Sequence, residues 1–178
     1  LLMLNKTAWN GAILQSLSHG FMTALFFALI GMIYGRTHTR DITKLGGLLK
    51  VMPFISVIYV IAGLASLGLP GFSGFIAEMN IFVGAFQHEE MFYRVATVIS
   101  VSAIVVTAVY ILRVLGIMLM GEVKNEEFLD LPKATWFEIT GILLLLVPMI
   151  GMGVAPLWLS DMTMDSLQPF IQGVLNHL

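Results

Sequence analysis

Two ionisable side chains, Glu78 and His19, stand inside long apolar stretches and are the candidates for chemistry. A charged carboxylate at the centre of a bilayer costs about 2.5–3.5 kcal/mol on insertion scales. Desolvation therefore favours the neutral form of Glu78, and a carboxyl at that depth is suited to taking up and releasing protons. The imidazole of His19 can pass protons on near neutral pH. The pair predicts proton transfer, and the alternative for Glu78 is a simple hydrogen bond to a neighbouring helix.

A polar stripe accompanies His19 along its predicted helix. Gln15, Ser16, His19 and Thr23 fall within an arc of about 100° at roughly 3.6 residues per turn. A polar stripe among apolar residues faces either the interior of a helical bundle or a hydrated path. Gln15, Ser16 and Thr23 are therefore predicted to support a proton path through His19. The alternative is a core histidine whose hydrogen bonds are satisfied locally.

The apolar run that contains Glu78 is interrupted by glycine and proline. Residues 53–86 are too many for one straight helix, because about 20 residues cross the hydrocarbon core. Proline removes a backbone donor, and glycine lets the chain leave helical angles. We therefore predict one span broken at 68–74; discontinuous helices of this kind occur at transporter ion sites. A helical hairpin or a packing kink is the alternative. The residues of the interruption are Gly68, Pro70, Gly71 and Gly74.

Composition places these segments in a membrane protein. Of 178 residues, 58% are apolar and 11% are charged, against about 25% charged in soluble domains. The net charge of −2 gives no basic face for nucleic acid, and the lack of cysteine excludes disulfides, iron–sulfur clusters and thiolate zinc sites. The predicted fold is an all-α polytopic membrane bundle of four spans, the second discontinuous. The predicted spans are 12–35, 53–86, 95–120 and 138–160.

Basic residues near the span ends predict the orientation of the chain. Residues 36–50 carry four of the nine lysines and arginines, so the positive-inside rule makes this loop cytoplasmic. The first span then runs inward and the second runs outward. His19 and Glu78 consequently both fall in the outer half of the membrane, where they could share one hydrated outlet.

These segments resemble the antiporter-like chain M family of respiratory complex I, an NADH–quinone oxidoreductase. The similarity is carried by Ser18-His-Gly, by Gly31-Met-Ile-Tyr-Gly-Arg-Thr-His-Thr-Arg-Asp, by Gly46-Gly47 and by Ala65-Ser-Leu-Gly-Leu-Pro-Gly-Phe-Ser-Gly-Phe-Ile-Ala-Glu. It implies that residues 1–178 are the C-terminal part of a longer subunit. It also implies that His19 belongs to a central hydrophilic axis and that Glu78 is the proton-transfer site towards the outside. Related subunits usually carry lysine at the Glu78 position, so glutamate favours chain M.

The resemblance implies a non-redox membrane subunit of a redox-driven proton pump. NADH, FMN, iron–sulfur clusters and quinone are expected in partner subunits, and no catalytic redox centre, cofactor or metal is expected in this chain. The expected partners are the adjacent antiporter-like chains L and N and the lipid bilayer, without nucleic acid. The expected location is the bacterial inner membrane. The alternatives are a subunit of a multisubunit sodium/proton antiporter or a structural membrane scaffold.

Overall fold

The computed structural model describes residues 5–175, and all regular elements in that range are helices, as the sequence predicts. Within these residues, seven α-helices and one short 3-10 helix follow one another. They are α1 (Lys6–Thr37), α2 (Leu48–Val51), α3 (Pro53–Ser66), α4 (Ser73–Phe86), α5 (Met91–Leu119), the 3-10 helix Glu126–Asp130, α6 (Trp136–Val154) and α7 (Leu157–Leu175).

Three of these helices are long and apolar enough to cross a membrane. They are α1, α5 and α6, with 32, 29 and 19 residues. In contrast, α3 and α4 have 14 residues each, which at roughly 1.5 Å per residue reach about 21 Å, less than the roughly 30 Å of a hydrocarbon core. The second predicted span is therefore divided into two apolar helices, each too short to cross alone.

A proline marks the start of α3, and a capping residue marks the start of α6. Pro53 occupies the first turn of α3, where its missing N–H has no helical partner to lose. Thr135 caps α6 and forms a capping box with Glu138. At its other end α6 stops at Val154, because Ala155 precedes Pro156 and the residue before a proline is disfavoured from helical angles. The predicted span 138–160 is thus divided, and α7 follows as a separate helix.

Small residues let α1 and α4 pack backbone to backbone in an antiparallel arrangement. A Cβ built on Gly11 would lie 2.7 Å from the amide nitrogen of Ile81 and 2.8 Å from the carbonyl oxygen of Ala77. A Cβ on Gly84 would lie 2.6 Å from the amide nitrogen of Ala8. Since real Cβ atoms do not approach so closely, glycine at these two positions is what allows the contact.

The apolar core lies between α1, α3, α6 and the C-terminal end of α5. Its most deeply buried large side chains include Leu25, Leu29, Ile55, Leu119, Ile142 and Met149. Most of α5 stands outside this core and exposes a long valine-rich surface. The apolar core is therefore built mainly from α1, α3 and α6, the helices next to the break between α3 and α4.

The loops after α1 and α5 lie against each other at one end of the bundle. The amide of Gly47 donates to the carbonyl oxygen of Met120 at 3.1 Å, and Lys124 Nζ donates to the carbonyl oxygen of Thr43 at 2.7 Å. Gly47 has a φ of +66°, and a Cβ there would lie 2.7 Å from the amide nitrogen of Val123. Glycine is needed here both for the backbone angle and for the space.

Candidate functional site at the helix break

The break between α3 and α4 consists of residues 67–72, and two glycines give it its shape. Gly68 and Gly71 have φ angles of +64° and +98°, values that strain residues with a Cβ. The amide of Gly68 donates to the carbonyl oxygen of Ala65 at 3.1 Å and closes α3. Residues 67–72 therefore leave helical geometry between two short helices.

Three of the four predicted break residues lie in this non-helical segment, and the fourth lies just beyond it. Gly68, Pro70 and Gly71 belong to residues 67–72, whereas Gly74 is the second residue of α4. A Cβ on Gly74 would lie 3.3 Å from the carbonyl oxygen of Ala65. Gly74 therefore serves the close approach of α4 to the end of α3 and does not interrupt a helix.

Glu78 is half-buried in the second turn of α4, and its carboxyl group is turned back onto the break. A Cβ built on Gly68 would contact Glu78 Oε2. Within residues 5–175, the carboxyl takes part in no hydrogen bond or ion pair. The structure therefore places an acidic group beside non-helical backbone.

Only two residues of the α1 polar stripe, His19 and Thr23, contact each other through polar atoms among the described residues. His19 is exposed in this chain, and its Nε2 lies 3.3 Å from Thr23 Oγ1. The Ser16 hydroxyl donates to the carbonyl oxygen of Ala12 at 3.0 Å, within its own helix. Gln15 Oε1 is buried and accepts no hydrogen bond from the described residues. Among residues 5–175, no hydrogen bond connects this stripe to Glu78.

A pair of serines that sequence reasoning missed connects α1 to the break. Ser18 Oγ lies 2.7 Å from Ser73 Oγ, and either atom can be the donor. Ser73 is the first residue of α4. Ser18 follows Gly11 by seven residues, so the two lie on one face of α1. The recurrence of small residues along this face is a signal that could have pointed to Ser18.

The backbone of α6 closes the break from another side. A Cβ built on Gly153 would contact the carbonyl oxygen of Gly71 and the carbonyl carbon of Phe72. Gly153 is buried, and α6 meets the break through backbone atoms. Gly153 of α6 consequently covers the non-helical segment with protein, while Ser18 of α1 contacts the first residue of α4.

A second polar cluster, also missed from the sequence, lies at the other end of α6. Arg36 Nη1 and Nη2 donate to Glu138 Oε1 and Oε2 at 2.9 and 2.7 Å. Arg36 also donates to the carbonyl oxygens of Pro132 at 2.8 Å and Lys133 at 3.1 Å, while the amide of Thr135 donates to Glu138 at 2.7 Å. Arg36, expected only to orient the chain, thus holds α1 to the start of α6.

The groups available at the break are a carboxyl, two hydroxyls and the backbone ends of two helices. Such groups accept and donate protons and hydrogen bonds. Among residues 5–175, no three His, Asp or Glu side chains come together as metal ligands.

Comparison with known sequences identifies similar membrane proteins. A family model described as "NADH:quinone oxidoreductase/Mrp antiporter, TM" matches residues 1–107. NADH-quinone oxidoreductase subunit M of Rickettsia conorii is 36% identical over 151 residues, which are 85% of this chain and 30% of the relative. NAD(P)H-quinone oxidoreductase chain 4 3 of Trichormus variabilis is 37% identical over 152 residues, 83% of this chain and 28% of the relative. The chain spans about 30% of the length of these curated relatives.

Two solved structures contain chains with the same arrangement of helices. A chain of respiratory complex I from Thermus thermophilus, solved with bound NADH, superposes with a TM-score of 0.84 at 23% identity, covering 96% of this chain and 35% of that chain. A chain of the Mrp complex from Dietzia sp. DQ12-45-1b superposes with a TM-score of 0.75 at 20% identity, covering 93% of this chain and 39% of that chain. At these identities the likeness establishes the fold.

Proposed function

Because this chain belongs to the NADH:quinone oxidoreductase/Mrp antiporter transmembrane family, we propose that it is part of a proton-translocating membrane subunit of a redox-driven pump. The observation that carries the proposal is the Glu78 carboxyl against Gly68, at a break between two short apolar helices. The relatives from Rickettsia and Trichormus, which are named as quinone oxidoreductase subunits, support it. The chain's part in the enzyme is proton transfer, and electron transfer takes place in other subunits.

In this proposal α3, residues 67–72 and α4 form one discontinuous span beside the spans α1, α5 and α6. Two helices of 14 residues reach about 42 Å together, enough for a hydrocarbon core of roughly 30 Å. Non-helical backbone at membrane depth is tolerated only where protein or water covers it. The cover that Gly153 of α6 provides supports this arrangement.

Glu78 is the proposed proton-transfer site, and His19 supplies protons to it from the same half of the membrane. Thr23 supports His19 through the contact of 3.3 Å, and Gln15 and Ser16 belong to the same polar stripe. The basic loop 36–50 faces the cytoplasm by the positive-inside rule. Glu78 then releases protons to the outer side.

The proposed partners are the adjacent antiporter-like chains L and N, within the lipid bilayer of a bacterial inner membrane. NADH, FMN, iron–sulfur clusters and quinone bind partner subunits in this proposal. The bacterial relatives, which are named as subunits of quinone oxidoreductases, support membership of a multisubunit oxidoreductase.

Replacing Glu78 by glutamine in the complete complex tests the proposal. In membrane vesicles energised with NADH, we expect Glu78→Gln to depress proton transport measured by a pH-sensitive dye, while the assembled complex keeps its fold. Glu89→Gln is the matched control, because Glu89 is exposed in the loop between α4 and α5. Unchanged proton transport and quinone reduction in Glu78→Gln would overturn the assignment.

A subunit of a sodium/proton antiporter is the second candidate function. The family description names the Mrp antiporter, and the Mrp chain from Dietzia shares the fold. The two candidates differ in their response to sodium without NADH. An antiporter dissipates an imposed pH gradient when sodium is added, whereas the proposed pump does not.

A further inference from the structure

We propose that the buried hydroxyl pair Ser18–Ser73 passes protons between α1 and α4. This inference rests on the proposed proton path and adds two residues to it. The two oxygens are 2.7 Å apart, and each serine is 4% exposed. The contact joins the helix that carries His19 to the helix that carries Glu78.

These two serines bond each other across two helices, whereas several other hydroxyls of the long helices bond within their own helix. A serine or threonine in a membrane helix commonly donates to the carbonyl oxygen three or four residues earlier. That bond engages the hydroxyl proton within one helix. The hydroxyls bonded in this way include Ser16, Thr97, Ser100, Ser102 and Thr107.

The hydrogen bond of the Ser18–Ser73 pair is reversible, because each hydroxyl can act as donor or acceptor. A hydroxyl that accepts a proton on a lone pair while it gives up its own leaves its charge unchanged. Two such groups in contact can therefore relay a proton between helices without creating a buried ion.

The hydroxyl pair and the Glu78 carboxyl lie beside two neighbouring glycines, Gly74 at the start of α4 and Gly68 in the break. A Cβ on Gly74 would lie 3.7 Å from Ser18 Oγ and 3.9 Å from the Cα of Gly68. A Cβ on Gly68 would in turn contact Glu78 Oε2. Ser73 is the first residue of α4, the helix that carries Glu78. The pair thus lies at the end of α4 that adjoins the break, and the Glu78 carboxyl is turned towards the same segment.

The transfer conserves protons at every group. The imidazolium of His19 releases one proton to water, and water passes one to Ser18 Oγ as the original Ser18 proton moves to Ser73 Oγ. The original proton of Ser73 then reaches the Glu78 carboxylate through water. At each serine one O–H bond forms as another breaks, so His19 loses one proton and Glu78 gains one. Rotation of the two hydroxyls restores the starting direction of the hydrogen bond.

Serine substitutions in the complete complex separate a proton relay from a structural hydrogen bond. The variants are Ser18→Ala, Ser73→Ala and the double alanine variant, each measured for assembly, NADH oxidation and dye-reported proton transport. Ser102→Ala is the control, because that exposed hydroxyl donates to Ile99 of its own helix. Ser18→Thr retains the hydroxyl, whereas Ser18→Cys keeps a similar volume with a weakly hydrogen-bonding thiol.

We expect a severalfold loss of proton transport in all three alanine variants and in Ser18→Cys, with Ser18→Thr and Ser102→Ala close to wild type. We also expect a changed deuterium solvent isotope effect on transport, which a structural hydrogen bond would not alter. Near wild-type transport in the double alanine variant would overturn the relay, since removing both partners of a structural bond is nearly neutral. If Ser18→Cys assembles and transports normally, the relay is also overturned. Wild-type transport in Glu78→Gln under these conditions overturns the proposed function instead.

Discussion

Replacing Gly153 by alanine puts a methyl group into the backbone of the break, and we expect it to push α6 away. A Cβ at this position would contact the carbonyl oxygen of Gly71 and would lie 2.5 Å from the carbonyl carbon of the same residue. Ordinary van der Waals contact begins at 3.4 Å, so α6 and the break have to separate by at least ~0.9 Å in a closely packed interior. The neighbouring atoms are backbone, which cannot rotate aside as a side chain can.

The energetic cost follows from that displacement and from helix propensity. Overpacking a well-packed interior costs about 1–3 kcal/mol, while glycine to alanine in a helix gains up to about 1 kcal/mol. Gly151 is exposed on the same helix, and a Cβ there meets no atom within 4 Å. Gly151→Ala therefore receives the gain in propensity without the clash. We expect Gly153→Ala to be less stable than Gly151→Ala by about 1–3 kcal/mol.

Temperature-dependent proteolysis of the detergent-solubilised complex measures this difference through cleavage of this chain. At about 2–4 °C per kcal/mol for 150–250 residues, the Gly153→Ala midpoint should lie about 2–12 °C below that of Gly151→Ala. Proton transport should fall as well, because the clash displaces the backbone beside Glu78. Equal midpoints and equal transport in the two variants would refute the close packing of α6 on the break.

Three further substitutions test the contacts between helices. Arg36→Met should destabilise the chain by about 1–3 kcal/mol, because it removes charge-assisted bonds to Glu138; a double-mutant cycle with Glu138→Gln on thermal midpoints should show coupling, and simple additivity would contradict the pair. Asn10→Ala removes two hydrogen bonds that α7 makes with α1, so hydrogen exchange should accelerate in α7, and unchanged protection there would argue against this anchor. Gly11→Ala should lower the thermal midpoint, because its Cβ would lie 2.7 Å from the backbone of α4. Gly20→Ala is the control and should leave the midpoint unchanged, because its Cβ meets nothing within 4 Å. Equal midpoints of the two variants would exclude the close contact of α1 with α4.

The apolar helices could be predicted because their signals are local. Apolar runs marked the helices. Between α3 and α4, Gly68 and Gly71 have backbone angles that other residues avoid, and Pro70 lacks a backbone donor. The position of Glu78 beside the break followed from its place along the chain. The separate helix after Pro156 was not predicted, because the apolar run of the sequence continues through Ser160. In the structure, helix α6 ends at Val154.

The partners of the polar side chains could not be predicted in the same way. Arg36 and Glu138 are 102 residues apart, and each looked like an ordinary charge at a helix end. The stripe around His19 was recognised by its spacing, yet spacing could not show that Ser16 bonds Ala12 in its own helix. Those outcomes depend on how each helix is rotated against its neighbours.

The sequence by itself determined that the chain forms apolar helices and that Glu78 follows the glycine- and proline-containing residues 68–74 along the chain. Only the tertiary structure decided that Ser18 meets Ser73, 55 residues away, and that Gly153 lies on the break. The reason is physical, because in a bilayer both the lipid-facing and the protein-facing sides of a helix are apolar. Hydropathy therefore does not say which face packs, and the fit of small residues such as Gly11 and Gly84 sets the register.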